Sequence, residues 1–220
     1  MHRLVNRVLI ALAVPALLIP AAATSATAAG TAKVPSIGAV ADIFTHLEGG
    51  SASESSSKVY GPGKDCKPGK AIKGASSRSA SYSPDYSSGD PSVFEITGKT
   101  PMVSVTAMKF PTAKAAIAYL HGYTKTAKDC GSGGSGGGTG GGSGGPKCKS
   151  SMKKISFDLG DERWGYQFKS KCKDSASVFN TLFSRKGKFI VYANVMSMNA
   201  TAPSIPKSVG LTKLALKTVS

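Results

Sequence analysis

The chain has 220 residues, with 28 Lys and Arg against 12 Asp and Glu, for a formal net charge of +16. Its lysines are scattered in ones and twos, without the dense basic run or interleaved aromatics of a nucleic-acid binder, so no specific nucleic-acid partner is expected. Charge of this sign favours polyanions through long-range attraction, so an anionic envelope lipid or wall polymer is the expected partner class, beside an unidentified small ligand.

Arg3 and Arg7 precede an apolar stretch from Val8 to Ala23 that Pro15 and Pro20 interrupt, and Ala26-Thr27-Ala28 follows. This is the architecture of a secretory signal peptide cleaved near Ala28, not of a spanning helix. Residues 1–28 are therefore read as leader, and the mature protein as secreted. Losing Arg3 and Arg7 lowers the net charge to +14. No second long apolar run follows, so no transmembrane segment is expected after cleavage. The remaining length suits one domain with a real core, expected as a monomer.

Residues 29–58 read as a flexible N-terminal segment carrying a short helix. Ile37, Val40, Ala41, Phe44 and Leu47 share one helical face, and Gly49 to Ser57 reads as a loop. The single domain is placed at 59–220. Val59 to Gly63 is turn chemistry. Lys70 to Tyr82 alternates weakly and reads as an edge strand rich in Ser and Lys. Val93–Ile96 and Met102–Met108 are short strands. Thr112 is set to cap a helix whose face carries Ala116, Tyr119, Leu120, Tyr123 and Ala127. His121 falls off that stripe, toward water. Gly131 to Gly145 holds eleven glycines, three serines and one threonine. It reads as a disordered insertion in a surface loop, since closure entropy grows slowly with length.

From Ile155 to Val195 four alternating runs are separated by turn clusters: Ile155–Leu159, Trp164–Phe168, Val178–Phe183 and Phe189–Val195. They predict a four-stranded antiparallel meander. A closing helix begins at Pro206 and carries Val209, Leu211, Leu214, Ala215, Leu216 and Val219. The expected fold is α+β: a twisted antiparallel sheet of about five to seven strands packed with two or three helices.

Cys66, Cys130, Cys148 and Cys172 make an even count in a secreted chain, which reads as two disulfides. If the Gly160–Arg163 turn joins two strands, Cys148 approaches Cys172 with a miss of about three residues, within what a bulge absorbs. That favours Cys148–Cys172 and leaves Cys66–Cys130; Cys130–Cys148 is the alternative. Without CxxC spacing, and with only His46 and His121 after the leader, no metal or cofactor is expected.

No catalytic constellation stands out, and no enzymatic activity is expected. Asp161 and Glu162 cluster at one turn and would serve a wall-polymer hydrolase, the alternative reading. A cationic protein that coats anionic surfaces is a further alternative. The aromatics expected to line a ligand cleft are Tyr119, Tyr123, Trp164 and Tyr166.

Leu159-Gly160-Asp161-Glu162, the Arg185-Lys186-Gly187-Lys188-Phe189-Ile190-Val191 hairpin and the four cysteines together resemble the PknH-type extracellular sensor domain of actinobacterial receptor kinases, which also occurs as free secreted proteins. The resemblance spans roughly residues 60–220. It implies an α+β domain with the disulfides Cys66–Cys130 and Cys148–Cys172, a cleft for an unidentified ligand, and no enzymatic activity. It makes this chain a free secreted version without the kinase domain.

Overall fold

A computed structural model describes residues 32–63, 67–85, 100–133 and 148–219, with only the backbone for 127–133. Seven strands form one sheet: β1 (Ser51–Pro62), β2 (Pro68–Ser83), β3 (Met102–Lys109), β4 (Lys149–Lys154), β5 (Glu162–Lys171), β6 (Ala176–Lys186) and β7 (Phe189–Ser197). Their order is β1-β2-β3-β7-β6-β5-β4, and every neighbouring pair is antiparallel. Three α-helices, α1 (Ile37–Ala41), α2 (Ala113–Gly133) and α3 (Ile205–Val219), and a 3-10 turn at Thr45–Leu47 complete the described elements. The chain thus runs two meanders, β1 to β3 and β4 to β7, and joins them where β7 pairs with β3.

Alternation along the central strands gives the sheet two packed faces. On one, Val103, Val105 and Ala107 of β3 and Val191, Ala193 and Val195 of β7 are buried against Leu211 and Ala215 of α3. Val40, Phe44 and Leu47 extend this core. Asn180, fully buried in β6, donates from Nδ2 to the Pro203 carbonyl at 3.0 Å and to Ser208 Oγ at 3.1 Å, tying the start of α3 to the sheet. On the other face, Ala116 and Leu120 of α2 pack with Val59, Met108, Phe110, Phe183 and Ile190. Thr112 caps α2 as expected, its Oγ1 accepting from Ala115 N at 3.1 Å.

Several elements depart from the sequence reading. Residues 32–58 are not a flexible appendage, since Phe44 and Leu47 lie in the core and Ser51 opens a strand. The helical stretch Ile37–Leu47 is split into α1 and the 3-10 turn. The Gly49–Ser57 loop is instead the start of β1, the true edge. Six of its residues, Ser53 to Lys58, are exposed, so no apolar alternation betrays it. It is held by its ladder to β2, by the Ser57–Ser77 hydroxyl bond of 2.9 Å and by the Arg78–Glu54 ion pair. The predicted edge strand β2 is consequently interior.

The meander's first strand is also displaced. Ile155–Leu159 lies outside the ladder, and β4 pairs with β5 through Lys149↔Lys171 to Lys154↔Tyr166. The chain leaves the sheet after Lys154 and folds over Gly165, where a Cβ would stand 2.9 Å from the Phe157 ring and 3.2 Å from the Ile155 carbonyl. That glycine inside a strand marks a close chain approach. This excursion removes the three-residue miss: one step beyond Lys149↔Lys171, Cys148 faces Cys172, and the two form a disulfide with Cα atoms 4.2 Å apart.

It is the one disulfide seen among the described residues. The Cys66–Cys130 pairing, the leader and the Val93–Ile96 strand lie outside them. Of the glycine-rich stretch, residues 131–133 continue α2 and the rest also lies outside.

Candidate ligand-binding face

All four predicted cleft aromatics meet where α2 crosses the sheet. Ring centroids are 5.9 Å apart for Tyr119 and Tyr123, 6.3 Å for Tyr123 and Trp164, and 4.7 Å for Trp164 and Tyr166. Phe183 and Tyr192 stack beneath at 4.7 Å. Helical spacing delivers the first pair, since residues four apart share a face; strand alternation delivers Trp164 and Tyr166. Trp164 is half-buried, one side packed on Phe183.

Burial governs the phenols. It pushes the Tyr119 hydroxyl up to about 12, with nearby Tyr192 adding to the rise, and it pushes Tyr123 higher still, with Tyr166, Tyr192 and Tyr119 contributing. Tyr166 and Tyr192 are also raised by burial. The four phenols therefore stay protonated and act as neutral hydrogen-bonding groups over the ordinary pH range.

Beside the aromatics lies a feature that the sequence reading missed. Following the register from the β1 edge across to β5, Ser53 faces Ser81, which faces Ser104, then Asn194, Thr181 and Tyr166. The next row toward α2 is Ser55, Ser79, Thr106, Tyr192, Phe183 and Trp164. Two hollows open along these rows. One, of about 230 Å³, lies between Tyr119, Tyr123, Tyr192, Ser79 and Thr106. The other, of about 360 Å³, adjoins Ser81, Ser104, Asn194 and His46.

Hydroxyls bond laterally, Ser79 Oγ to Thr106 Oγ1 at 2.8 Å, and Asn194 Nδ2 donates to Tyr192 Oη at 3.1 Å. Thr181 Oγ1 and Asn194 Oδ1, by contrast, are sealed and make no hydrogen bond. The Thr181 hydroxyl offsets part of the rise of Tyr166 and Tyr192, yet neither phenol closes on it with hydrogen-bond geometry.

The acidic turn is tied to Arg185. Arg185, its side chain 9% exposed, donates from Nη1 to Asp161 Oδ2 at 3.0 Å and to the Gly187 carbonyl at 2.9 Å, and from Nε to Glu162 Oε2 at 3.4 Å. Gly187 N donates to Asp161 Oδ2 at 2.8 Å, Asp161 N to the Arg185 carbonyl at 2.7 Å, and Ser184 Oγ to the Leu159 carbonyl at 2.9 Å. Gly160 sits at φ +72°, where a Cβ would be 2.4 Å from the Arg185 carbonyl. The Leu-Gly-Asp-Glu turn and the Arg-Lys-Gly hairpin are thus one knot. His121 is exposed, as expected, and places Nε2 3.5 Å from Glu162 Oε2 at the rim of a third hollow of about 400 Å³.

No family model matches the chain, and no curated protein matches it. Its structure is similar to that of the extracellular domain of PknH from Mycobacterium tuberculosis, at 12% identity over 84% of this chain and 92% of that one, with a TM-score of 0.45. It is also similar to an uncharacterised protein from Mycobacterium smegmatis, the Rv0999 ortholog, at 10% identity over 86% and 99% with a TM-score of 0.42. LpqN of Mycobacterium tuberculosis, involved in cell envelope biogenesis, aligns at 11% identity over 77% and 81% with a TM-score of 0.23.

Proposed function

We propose that this protein is a secreted, sensor-like ligand-binding domain that acts without catalysis at or outside the cell envelope. The observation that carries the reading is the convergence of Tyr119, Tyr123, Trp164 and Tyr166 beside sealed, unbonded Thr181 Oγ1 and Asn194 Oδ1. Buried polar atoms without partners cost about 1–3 kcal/mol each, a penalty that a stability-only design would avoid. The leader-like first 28 residues support export, and the Cys148–Cys172 disulfide suits an oxidising compartment. The hydrolase reading is disfavoured because Asp161 and Glu162 are both committed to Arg185.

The test is a thermal-shift comparison of the oxidised mature protein with and without an extract of envelope lipids and wall fragments, at low and high salt. A ligand that binds only the folded state raises Tm in proportion to its saturation. A rise that survives high salt and is lost in Tyr123→Ala is the expected result. No rise, or a rise that salt abolishes, contradicts it. The latter would favour the cationic-coat reading, for which Lys149, Lys153, Lys169 and Lys171 supply an exposed patch on one face of the β4–β5 ribbon.

A further inference from the structure

We propose that the polar row beside α2 binds a neutral saccharide; this deepens the ligand-binding reading and rests on it. The row Ser53, Ser81, Ser104, Asn194, Thr181 and Tyr166 crosses six strands, and every member carries a hydroxyl or amide. The adjoining row of Ser55, Ser79, Thr106, Tyr192, Phe183 and Trp164 adds three hydroxyls, a phenol and two further aromatic rings. Neither row contains a charged residue, although the chain carries 28 basic and 12 acidic side chains. Lys154, the partner of Tyr166 on the far edge strand, is the first charge met.

Three ligand classes are separated by this composition. Phosphate or carboxylate groups are bound by cations; the rows offer none, and among the described residues Lys58, at the smaller hollow, is the one Lys or Arg lining either hollow. A bare acyl chain would bury Ser81, Ser104 and Asn194 against hydrocarbon, at about 1–3 kcal/mol for each polar group left unpaired. A neutral sugar fits both halves. Its C–H face rests on the Tyr119 and Tyr123 rings, which line the smaller hollow with Ser79 and Thr106, and its hydroxyls both donate to and accept from Ser81, Ser104 and Asn194, which line the larger one. The unbonded Thr181 Oγ1 and Asn194 Oδ1 lie sealed beneath the row and are not ligand contacts. A solvated sheet face would instead carry interspersed charges of both signs.

The sugar could be a free oligosaccharide or the headgroup of a glycolipid. Met102 and Met196 face each other in the following row, with Met102 53% exposed, beside the larger hollow.

The experiment is capture of the oxidised mature protein on an array of immobilised neutral oligosaccharides, neutral glycolipids, uronate-bearing glycans and phosphatidylglycerol. Hits are followed in solution by the emission of Trp164, the only tryptophan. Neutral sugars are expected to bind, with affinity reduced about tenfold or more in Ser81→Ala and in Ser104→Ala, one lost hydrogen bond in a desolvated site. Both variants are expected to melt close to the parent, which separates lost binding from lost folding. Capture by glycolipid alone, or by both glycolipid and oligosaccharide, assigns the source.

Capture of only uronates or phosphatidylglycerol, with a Trp164 response, overturns the saccharide class and leaves the ligand-binding reading standing. Sugar binding that Ser81→Ala and Ser104→Ala leave unchanged overturns the site. No capture and no Trp164 response to any probe overturns both readings.

Discussion

Arg185→Ala is the perturbation with the clearest arithmetic. The guanidinium is nearly buried and makes a 3.0 Å bond to Asp161, a 2.9 Å bond to the Gly187 carbonyl and a longer 3.4 Å contact to Glu162. A hydrogen bond to a charged group contributes about 1.5–3 kcal/mol. Removing one partner of a fully buried pair costs about 3–5 kcal/mol. Here Asp161 keeps half of its side chain in water and retains the Gly187 N–H, so solvent stabilises the orphaned carboxylate. The expected loss is therefore about 2–3 kcal/mol, below the fully buried range and within that of a hydrogen bond to a charged group. For a domain of this size each kcal/mol moves Tm by roughly 2–4 °C, so the variant should melt about 4–12 °C lower.

Urea unfolding followed by Trp164 emission reads the same loss as a shift in midpoint at constant slope. Arg185→Lys should recover less than half of it, because an ammonium cannot reproduce the fork geometry. A loss below about 1 kcal/mol would refute the claim that this knot anchors the two turns.

Further expectations concern titration, cross-linking and the polar row. Burial lowers the His46 pKa, with the Pro101 carbonyl opposing and Lys207 assisting. The unfolded chain therefore takes up a proton near pH 6.5 that the fold resists, and stability should fall as pH drops below about 6.5. His46→Gln should flatten that acid limb in pH-dependent melting. Tyr119 is raised to about 12 by burial, and the fold resists its ionisation. Stability should hold up to about pH 10 and decline above it as the unfolded chain loses phenolic protons first. Ultraviolet difference titration should show the Tyr119 and Tyr123 phenols ionising above the ordinary phenol range.

Replacing Cys148 and Cys172 by Ser together should cost about 3.5 kcal/mol for a 24-residue separation, measured by denaturant unfolding. Thr181→Val, which removes an unbonded buried hydroxyl, should leave the midpoint equal or raise it by up to about 1–2 kcal/mol.

The parts of this fold that read well from sequence are those set by apolar periodicity. The α2 stripe, β3, β5 to β7 and the closing helix are half-buried, so hydrophobic alternation records them, and the cleft aromatics follow from the same pattern. β1 is held by backbone bonds and hydroxyls, and its outer residues are all exposed, so that signal is silent there. A different period was present: serine recurs at 51, 53, 55 and 57, and again at 77, 79, 81 and 83. Period-two hydroxyls mark one face of a strand as surely as period-two valines.

What no single stretch could reveal is the row itself, whose members come from six separate strands and meet only through register. The edge assignment of β2 failed for the same reason, because its outer neighbour carried no apolar mark. That Asp161 and Glu162 share Arg185 as a partner was not legible, because it lies 23 residues or more away in sequence.

The most direct test is amide chemical-shift mapping of the oxidised mature protein titrated at high salt with envelope extract. Binding at the proposed face predicts perturbations concentrated on Ser81, Ser104, Thr181, Asn194 and Tyr123, with the Trp164 indole shifting in step. Perturbations gathered instead on Lys149, Lys153, Lys169 and Lys171, or absent throughout, would contradict it.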